Sequence, residues 1–220
     1  MPDELNRYVP ALRFRWLTGF YDPVVAFTTR EKTFKRRLLD HAPIEAGSRV
    51  LDVGCGTGTL TALIKTRQAR AIVSGLDGDP AIIKLATVKA ARAGLEIQFD
   101  EGLSYDLPYR EDQFDIIFST LFFHHLTRHN KVRTLAEVLR VLKPGGKLYI
   151  CDWGRPSNPW LRLMFLVVQC LDGFDVTRDH VKGRLVEFIQ SVGFSDVTVT
   201  GNLATLLGTL DFITATKPEH

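Results

Sequence analysis

The stretch Arg-Val-Leu-Asp-Val-Gly-Cys-Gly-Thr-Gly at residues 49–58 is the most informative part of this chain. Its first half is a short apolar run typical of a buried strand, and three glycines alternate in its second half. Such glycines let the backbone turn sharply into a helix and let a ligand approach without meeting a Cβ atom. The stretch therefore predicts a strand, a ligand-binding turn and a helix that begins near Thr59.

Strand-like and helix-like patterns alternate through the next hundred residues. Four further short apolar runs predict strands at Ala71–Leu76, Leu95–Phe99, Phe114–Ser119 and Lys147–Cys151. Asp79 and Pro80 predict the start of a helix between two of these strands. Strands that alternate with helices form a parallel sheet with right-handed crossovers. Because Phe114–Ser119 is almost wholly apolar, it is expected at the centre of that sheet.

Two more strands, Asp196–Thr200 and Gly208–Thr216, are predicted near the C-terminus. They must pair antiparallel, since the short connection between them cannot form a parallel crossover. The predicted fold is therefore a doubly wound α/β domain with a mostly parallel seven-stranded sheet and an antiparallel C-terminal strand. Within one domain of residues 1–220 we expect an N-terminal helical cap (1–44), a cofactor-binding core (45–155), and an acceptor-side helix with the C-terminal strands (156–220).

Composition limits the class of protein. The net charge of +3 is too small for a dedicated nucleic-acid binder, so no nucleic-acid partner is expected. Three widely spaced cysteines suit a reducing compartment, which favours a cytoplasmic protein. The most apolar run, 160–171, is too short to cross a bilayer, so no transmembrane segment is expected. A monomer or a homodimer is equally compatible with the sequence.

Two acidic residues indicate which ligand the glycine turn binds. Asp77 ends the second predicted strand, beside the turn, where a carboxylate can accept two hydrogen bonds from a ribose diol. Asp52 lies two residues before Gly54, where it would repel a pyrophosphate but attract an ammonium group. The glycine spacing also differs from the Gly-x-Gly-x-x-Gly of dinucleotide sites. S-adenosylmethionine fits this pattern, and an NAD-dependent oxidoreductase is the weaker alternative.

Five segments together resemble the class I S-adenosylmethionine-dependent methyltransferases. They are Val50–Gly58, Gly75–Pro80, Gly102–Pro108, Phe114-Asp115 and Leu142–Gly146, in the family's order. The quinone and sterol C-methyltransferases are the most similar branch, and Tyr21-Asp22 in an N-terminal cap also fits it. The resemblance implies a Rossmann-like methyltransferase fold, S-adenosylmethionine as cofactor and S-adenosylhomocysteine as product.

The resemblance also implies which residues hold the cofactor. Gly54, Gly56 and Gly58 form its turn, Asp52 lies near its amino group and Asp77 holds its ribose. The full expected set is Tyr21, Asp52, Gly54, Cys55, Gly56, Gly58, Asp77, Gly78, Leu103, Ser104, Ser119 and Leu121. The family often has an acidic residue where Leu103 stands, to accept a hydrogen bond from the adenine amino group. That contact is left to backbone groups or to a neighbour such as Asp100.

Candidate catalytic residues follow the fourth and fifth predicted strands. His124 or His125 could act as a general base, because imidazole titrates near neutral pH, and Asp152 could orient the acceptor or a histidine. Alternatively, the histidines orient a loop and Asp152 caps a turn. No metal site is predicted, since it would need further ligands such as Asp152 and His180.

The acceptor is expected to be a small hydrophobic or aromatic molecule. Trp153, Trp160 and the apolar run 161–171 could line its pocket, or the run could simply pack on the core. Ser119-Thr120-Leu121-Phe122 replaces the Asn/Asp-Pro-Pro-Tyr of enzymes that methylate bases, which disfavours a nucleic-acid substrate. A non-catalytic protein that binds the cofactor on the same fold is a further alternative.

Overall fold

The computed structural model describes residues 28–219. Its helices are α1 (Glu31–Asp40), α2 (Thr59–Arg67), α3 (Pro80–Arg92), α4 (Arg128–Val141), α5 (Pro159–Asp172), α6 (Phe174–Val181) and α7 (Leu185–Ser191). Its strands are β1 (Arg49–Val53), β2 (Ile72–Asp77), β3 (Gln98–Glu101), β4 (Phe114–Thr120), β5 (Leu142–Trp153), β6 (Ser195–Ala204) and β7 (Thr209–Thr216). A short 3-10 helix, Phe123–His125, follows β4.

The seven strands form one sheet in the order β3-β2-β1-β4-β5-β7-β6. The five strands from β3 to β5 in that order are parallel, whereas β7 is antiparallel to both β5 and β6. This arrangement confirms the predicted fold class, including the antiparallel C-terminal strand. The carboxyl ends of β1, β2 and β4 therefore meet at one edge of the sheet, where open α/β folds bind their ligands.

Apolar side chains on both faces of the sheet form the core. Neighbouring residues of β1 point to opposite faces, so Val50 joins one hydrophobic cluster and Leu51 joins the other. The first cluster packs α1, α2 and α5 on the sheet, and the second packs α4 and α7. Strand β4 contributes Phe118 to one cluster and Ile117 to the other, which confirms its predicted position at the buried centre.

Helix α3 begins as its sequence predicts. The Asp79 side chain accepts a hydrogen bond from the backbone amide of Ala81 at 2.8 Å, and Pro80 occupies the first turn. This cap satisfies one of the amides left free at a helix N-terminus. Helix α3 therefore starts three residues after Asp77, and the N-terminal end of the helix lies at the ligand-binding edge.

Several boundaries differ from the sequence prediction. Strand β3 begins three residues later than expected, because Gly94 adopts a φ of 65° and the Leu95 amide bonds back to Ala90, which completes the end of α3. Where an acceptor-side helix was expected, two helices, α5 and α6, precede α7. Gly183, with a φ of 69°, separates α6 from α7.

Of the predicted cap at residues 1–44, the described part contains only α1 and the turns around it; residues 1–27 lie outside the described residues. Helix α1 buries Phe34, Leu38 and Leu39 against the sheet. Among residues 28–219, no helix combines the length and apolar character needed to cross a bilayer.

Candidate active site

The glycine turn is fixed to the neighbouring strand by backbone hydrogen bonds. The amides of Gly54 and Cys55 both donate to the carbonyl of Leu76, at 2.8 and 3.0 Å. Gly54 and Gly56 have positive φ angles of 70° and 53°, a conformation that side chains disfavour. A Cβ on Gly54 would lie under 3.0 Å from three side-chain atoms of Phe122, whereas one on Gly56 would meet no atom within 4 Å. Gly54 thus makes room for Phe122, and Gly56 faces open space.

The carboxylate of Asp77 joins the turn to the end of β2. One of its oxygens accepts from the amide of Gly56 at 2.9 Å, and the other accepts from the amide of Asp79 at 3.1 Å. Burial raises the pKa of Asp77 above its ordinary value, although these backbone hydrogen bonds oppose the shift. Each carboxylate oxygen can accept a second hydrogen bond, so Asp77 can still bind a ligand diol.

A cavity of about 650 Å³, counting its opening to solvent, lies beside this carboxylate. Its lining residues are Gly54, Leu76, Asp77, Gly78, Gly102, Leu103, Ser104, Tyr105, Phe122, His125, Leu126, Thr127 and Asn130. Neither lysine nor arginine occurs among these described lining residues. The cavity therefore combines apolar walls with one carboxylate, and it offers no cationic side chain to a phosphate.

Asp52 lies buried in β1, immediately before the turn. One of its oxygens accepts from the Thr61 hydroxyl at 2.7 Å, while the other has no hydrogen-bond partner within residues 28–219. Burial raises the pKa of Asp52 to about 6, although the hydrogen bond from Thr61 and the charge of Lys35 both act to lower it. A buried carboxylate with an unpaired oxygen is energetically costly, so a cationic or hydrogen-bonding ligand near Asp52 would stabilise the folded protein.

Asn130 supplies a second unpaired oxygen, this one in the cavity wall. Its carboxamide oxygen is buried and has no partner in the described part of the chain. Ser104 is engaged elsewhere, since its hydroxyl bonds to that of Thr134 at 2.8 Å. Asp100, which the sequence suggested as a substitute for an acid at Leu103, accepts from the Tyr109 hydroxyl at 2.8 Å and does not line the cavity.

Five of the twelve residues expected to hold the cofactor line the cavity: Gly54, Asp77, Gly78, Leu103 and Ser104. Asp52, Cys55, Gly56, Gly58, Ser119 and Leu121 lie outside its lining. Ser119 donates its hydroxyl to the Val53 carbonyl at 3.0 Å and thereby ties β4 to β1. Leu121 adopts a φ of 50° and packs against the core. Tyr21 lies outside the described residues.

Some lining residues were missed in the sequence. Tyr105, Thr127 and Asn130 all face the cavity. Thr127 caps α4 by accepting from the amide of Asn130 at 3.2 Å. The start of this helix was predictable, and its position after a central strand was a signal that its first turn reaches the ligand-binding edge.

The candidate catalytic residues His124 and Asp152 form a buried pair. Because an ionised carboxylate can only accept, His124 Nδ1 donates to Asp152 at 2.7 Å. The other Asp152 oxygen accepts from the amides of Phe122 and Phe123, at 3.0 and 2.7 Å. Burial opposes ionisation of Asp152, but the charges of His124 and His180 and the hydrogen bonds hold its pKa below its ordinary value. These contacts orient the loop after β4.

His125 is the candidate catalytic residue that lines the cavity. Burial and the neighbouring charge of His124 hold its pKa well below the ordinary value, so its imidazole is neutral at neutral pH. His180, which the sequence offered as a possible metal ligand with Asp152, instead donates to the Trp153 carbonyl at 2.7 Å. The oxygens of Asp152 are likewise occupied by the hydrogen bonds described above.

The two tryptophans considered for the acceptor pocket have different environments. Trp153 is buried and packs edge-to-face on Phe165 with ring centroids 5.4 Å apart. Trp160 is 65% exposed on the outer face of α5. The buried face of α5 therefore packs on the core, which was the alternative to its forming an acceptor pocket. Neither tryptophan lines the described cavity.

Comparisons with known proteins agree with this geometry. A family described as a methyltransferase domain matches residues 50–146. A demethylmenaquinone methyltransferase of Lactobacillus johnsonii is 37% identical, over 78% of this chain and 75% of that protein. The chain belongs to the class I S-adenosylmethionine-dependent methyltransferases. A second demethylmenaquinone methyltransferase, of Thermus thermophilus, is 34% identical over 61% of this chain, which spans only 60% of that relative.

The fold of this methyltransferase-family chain also resembles solved structures. A S-adenosylmethionine-dependent methyltransferase from Aquifex aeolicus superposes with a TM-score of 0.66 at 19% identity, covering 96% of this chain and 99% of that one. The family match at 50–146 includes the glycine turn, Asp77 and the two histidines. It ends before Asp152 and Asp172.

Proposed function

We propose that this chain transfers a methyl group from S-adenosylmethionine to a small hydrophobic acceptor with a hydroxylated aromatic ring. The observation that carries this proposal is the cavity at the carboxyl edge of the sheet, with Asp77 in its wall and no lysine or arginine in its described lining. A dinucleotide would need donors for its pyrophosphate. Instead, Asp77 lines the cavity and Asp52 lies buried immediately before the glycine turn, which favours a cofactor without phosphate.

Three polar groups match the three polar parts of the cofactor. Asp77 keeps lone pairs for the ribose hydroxyls, and the unpaired oxygen of Asn130 can accept from the adenine amino group. Asp52 would stabilise the ammonium group from behind the turn, since opposite charges attract strongly where water is excluded. When bound, S-adenosylmethionine supplies a methyl group on a positively charged sulfur.

The acceptor side of the proposal is supported by the apolar lining. Phe122 and Leu126 provide surface for a flat ring, and they exclude water from the reacting atoms. The relatives named demethylmenaquinone methyltransferases favour a hydrophobic, ring-containing acceptor. Such an acceptor loses a proton on methylation, and the neutral imidazole of His125 can accept it from within the cavity.

The cofactor assignment is tested by changing Asp77→Ala. Hydrogen bonds to a charged group contribute about 1.5–3 kcal/mol, so the affinity for S-adenosylmethionine should fall about 10- to 150-fold in titration calorimetry. Asp79→Ala is the matched control, because Asp79 is a neighbouring carboxylate that caps α3 and does not line the cavity. Equal affinity in the Asp77 variant, or thermal stabilisation of the wild type by NAD instead, would refute the assignment.

The activity is tested by measuring S-adenosylhomocysteine formed with a panel of acceptors. Phenols and reduced quinones of increasing hydrophobicity should be methylated, whereas polar amines of similar size should not. If the protein binds S-adenosylmethionine but turns over none of these acceptors, the non-catalytic alternative gains support. If amines react and phenols do not, the acceptor class is wrong.

A further inference from the structure

We propose that His124, His125 and Asp172 bind one divalent transition-metal ion, with Zn²⁺ as the preferred ion. The two histidines belong to the 3-10 helix after β4, and Asp172 is the last residue of α5. One ligand atom from each of the three side chains lies within 4.8 Å of the other two. Two imidazoles with one carboxylate are a common ligand set for such ions, whereas Mg²⁺ prefers oxygen ligands alone.

The separations between these groups suit an intervening ion. His124 Nε2 lies 3.6 Å from one oxygen of Asp172, and His125 Nδ1 lies 3.8 Å from the other. Both distances exceed the range of about 2.7–3.2 Å for a direct N–H···O hydrogen bond. With metal–ligand bonds of about 2.0–2.2 Å, ligand atoms in a tetrahedral zinc site lie about 3.4 Å apart. The two histidine–Asp172 separations therefore lie within a few tenths of an ångström of that spacing.

The orientation of His124 is an independent observation in favour of the site. Its Nδ1 donates to the buried carboxylate of Asp152 at 2.7 Å, so in the neutral ring Nε2 carries the lone pair. That lone pair faces the Asp172 carboxylate, which makes a repulsive contact unless a cation or a proton lies between them. Metal-binding histidines commonly donate their other ring nitrogen to a carboxylate in this way.

The charges around the cluster also favour a divalent cation. Asp152 and Asp172 both face His124, and both carboxylates are largely removed from solvent. The charge of Lys131, which acts on His124, is offset because its ammonium group donates to the Val176 carbonyl at 2.6 Å and lies 3.8 Å from Asp179. Asp152 already accepts hydrogen bonds from His124 and from backbone amides, whereas Asp172 adds a second carboxylate beside the histidines, and a divalent ion would offset its charge.

The site would open onto the cavity. His125 lines that cavity, so a fourth coordination position on the ion could face a bound molecule. Zinc with three protein ligands keeps such a position and makes a bound hydroxyl group more acidic. If the acceptor is hydroxylated, its oxygen would bind the ion, the hydroxyl proton would pass to water at the cavity opening, and His125 would act as a ligand rather than as the base. This consequence rests on the proposed function, whereas metal binding itself does not.

The experiment uses tag-free full-length protein, treated with a chelator and then desalted. Zn²⁺ binding is measured by titration calorimetry, and Co²⁺ is added separately to record its visible absorption bands. The test variants are Asp172→Asn and His125→Gln, which keep similar size and polarity. The matched controls are His129→Ala and Asp175→Asn, because both residues are exposed and close in sequence to the cluster. Circular dichroism checks that each variant is folded.

The wild type and both controls should bind about one Zn²⁺ per chain, with Co²⁺ bands typical of coordination by nitrogen and oxygen. Each test variant should lose at least about tenfold in affinity and should lose the Co²⁺ bands. No saturable binding by the wild type, or equal binding by the folded Asp172→Asn variant, would overturn the proposal. Since Asp172 is not a cofactor ligand, this variant should still bind S-adenosylmethionine, which separates failure of the metal site from failure of the proposed function.

Discussion

The close contact between Gly54 and Phe122 leads to a quantitative prediction for Gly54→Ala. The φ of 70° costs an alanine about 1–2 kcal/mol, because its Cβ crowds the following carbonyl. The added Cβ would also lie under 3.0 Å from three atoms of Phe122, well inside the about 3.5–4.0 Å of a normal carbon contact. Overpacking of this kind costs about 1–3 kcal/mol, so the total loss of stability should be about 2–5 kcal/mol.

Gly47→Ala separates the two contributions. Gly47 has a φ of 87°, and a Cβ there would meet no atom within 4 Å. The stability of this control should therefore fall only by the backbone cost of about 1–2 kcal/mol. In the double variant Gly54→Ala/Phe122→Ala the ring is gone, so the double variant should be more stable than the sum of the single changes predicts, by about 1 kcal/mol or more.

The assay is urea unfolding followed by circular dichroism, with the transition midpoint compared at a constant slope. Thermal unfolding offers a second readout, since each kcal/mol lowers the Tm of a chain of this size by about 2–4 °C. Equal destabilisation by Gly54→Ala and Gly47→Ala would refute the reasoning. Strict additivity of the Gly54 and Phe122 changes would refute it as well, because it would mean that the two side chains do not compete for the same space.

Two further predictions concern pH. Burial raises the pKa of Asp52 to about 6, so this carboxylate becomes protonated as the pH falls through 6, and the affinity for the cationic cofactor should fall as well. Titration calorimetry at pH 5 and pH 8 should show weaker binding at pH 5 in the wild type and a smaller difference in Asp52→Asn. Burial also raises the pKa of Asp211 to about 6, so the folded state holds the Asp211 proton more tightly than the unfolded state does. The resulting stabilisation of the folded state is lost as the pH rises through 6. Asp211→Asn should therefore stabilise the protein by about 1–2 kcal/mol at pH 8 and have little effect near pH 4, as measured by the midpoint of urea unfolding. An equal increase in stability at both pH values would show that ionisation of Asp211 is not the cause.

Most of the fold was predictable because its signals are local. The short apolar runs and the cap formed by Asp79 and Pro80 each depend on a few neighbouring residues. One boundary error has a local cause too, since the completed end of α3 moved the start of β3 along the chain. The extra strand length of β5 depends on pairing with β4 and β7, which no local pattern reveals.

The cofactor side of the site was predictable in part. Gly54, Asp77, Gly78, Leu103 and Ser104, which the family resemblance implied, line the cavity because they lie at or just after the carboxyl ends of β1, β2 and β3. The position of Asn130 and the contact of Phe122 with Gly54 were not predicted. Their role depends on how closely α4 and the loop after β4 approach the glycine turn, and this distance is set by side-chain packing across the sheet edge.

The amino-acid sequence alone predicts an α/β chain with a ligand-binding glycine turn and two carboxylates near the carboxyl ends of the strands. Periodicity and backbone preference act between near neighbours, so they can be recognised before the chain is folded. The tertiary structure decided which distant side chains meet: Phe122 fills the space above Gly54, Asp152 orients His124, and Asp172 faces both histidines. These contacts depend on the packing of α5 and of the loop after β4, because only the folded chain brings these side chains within contact distance.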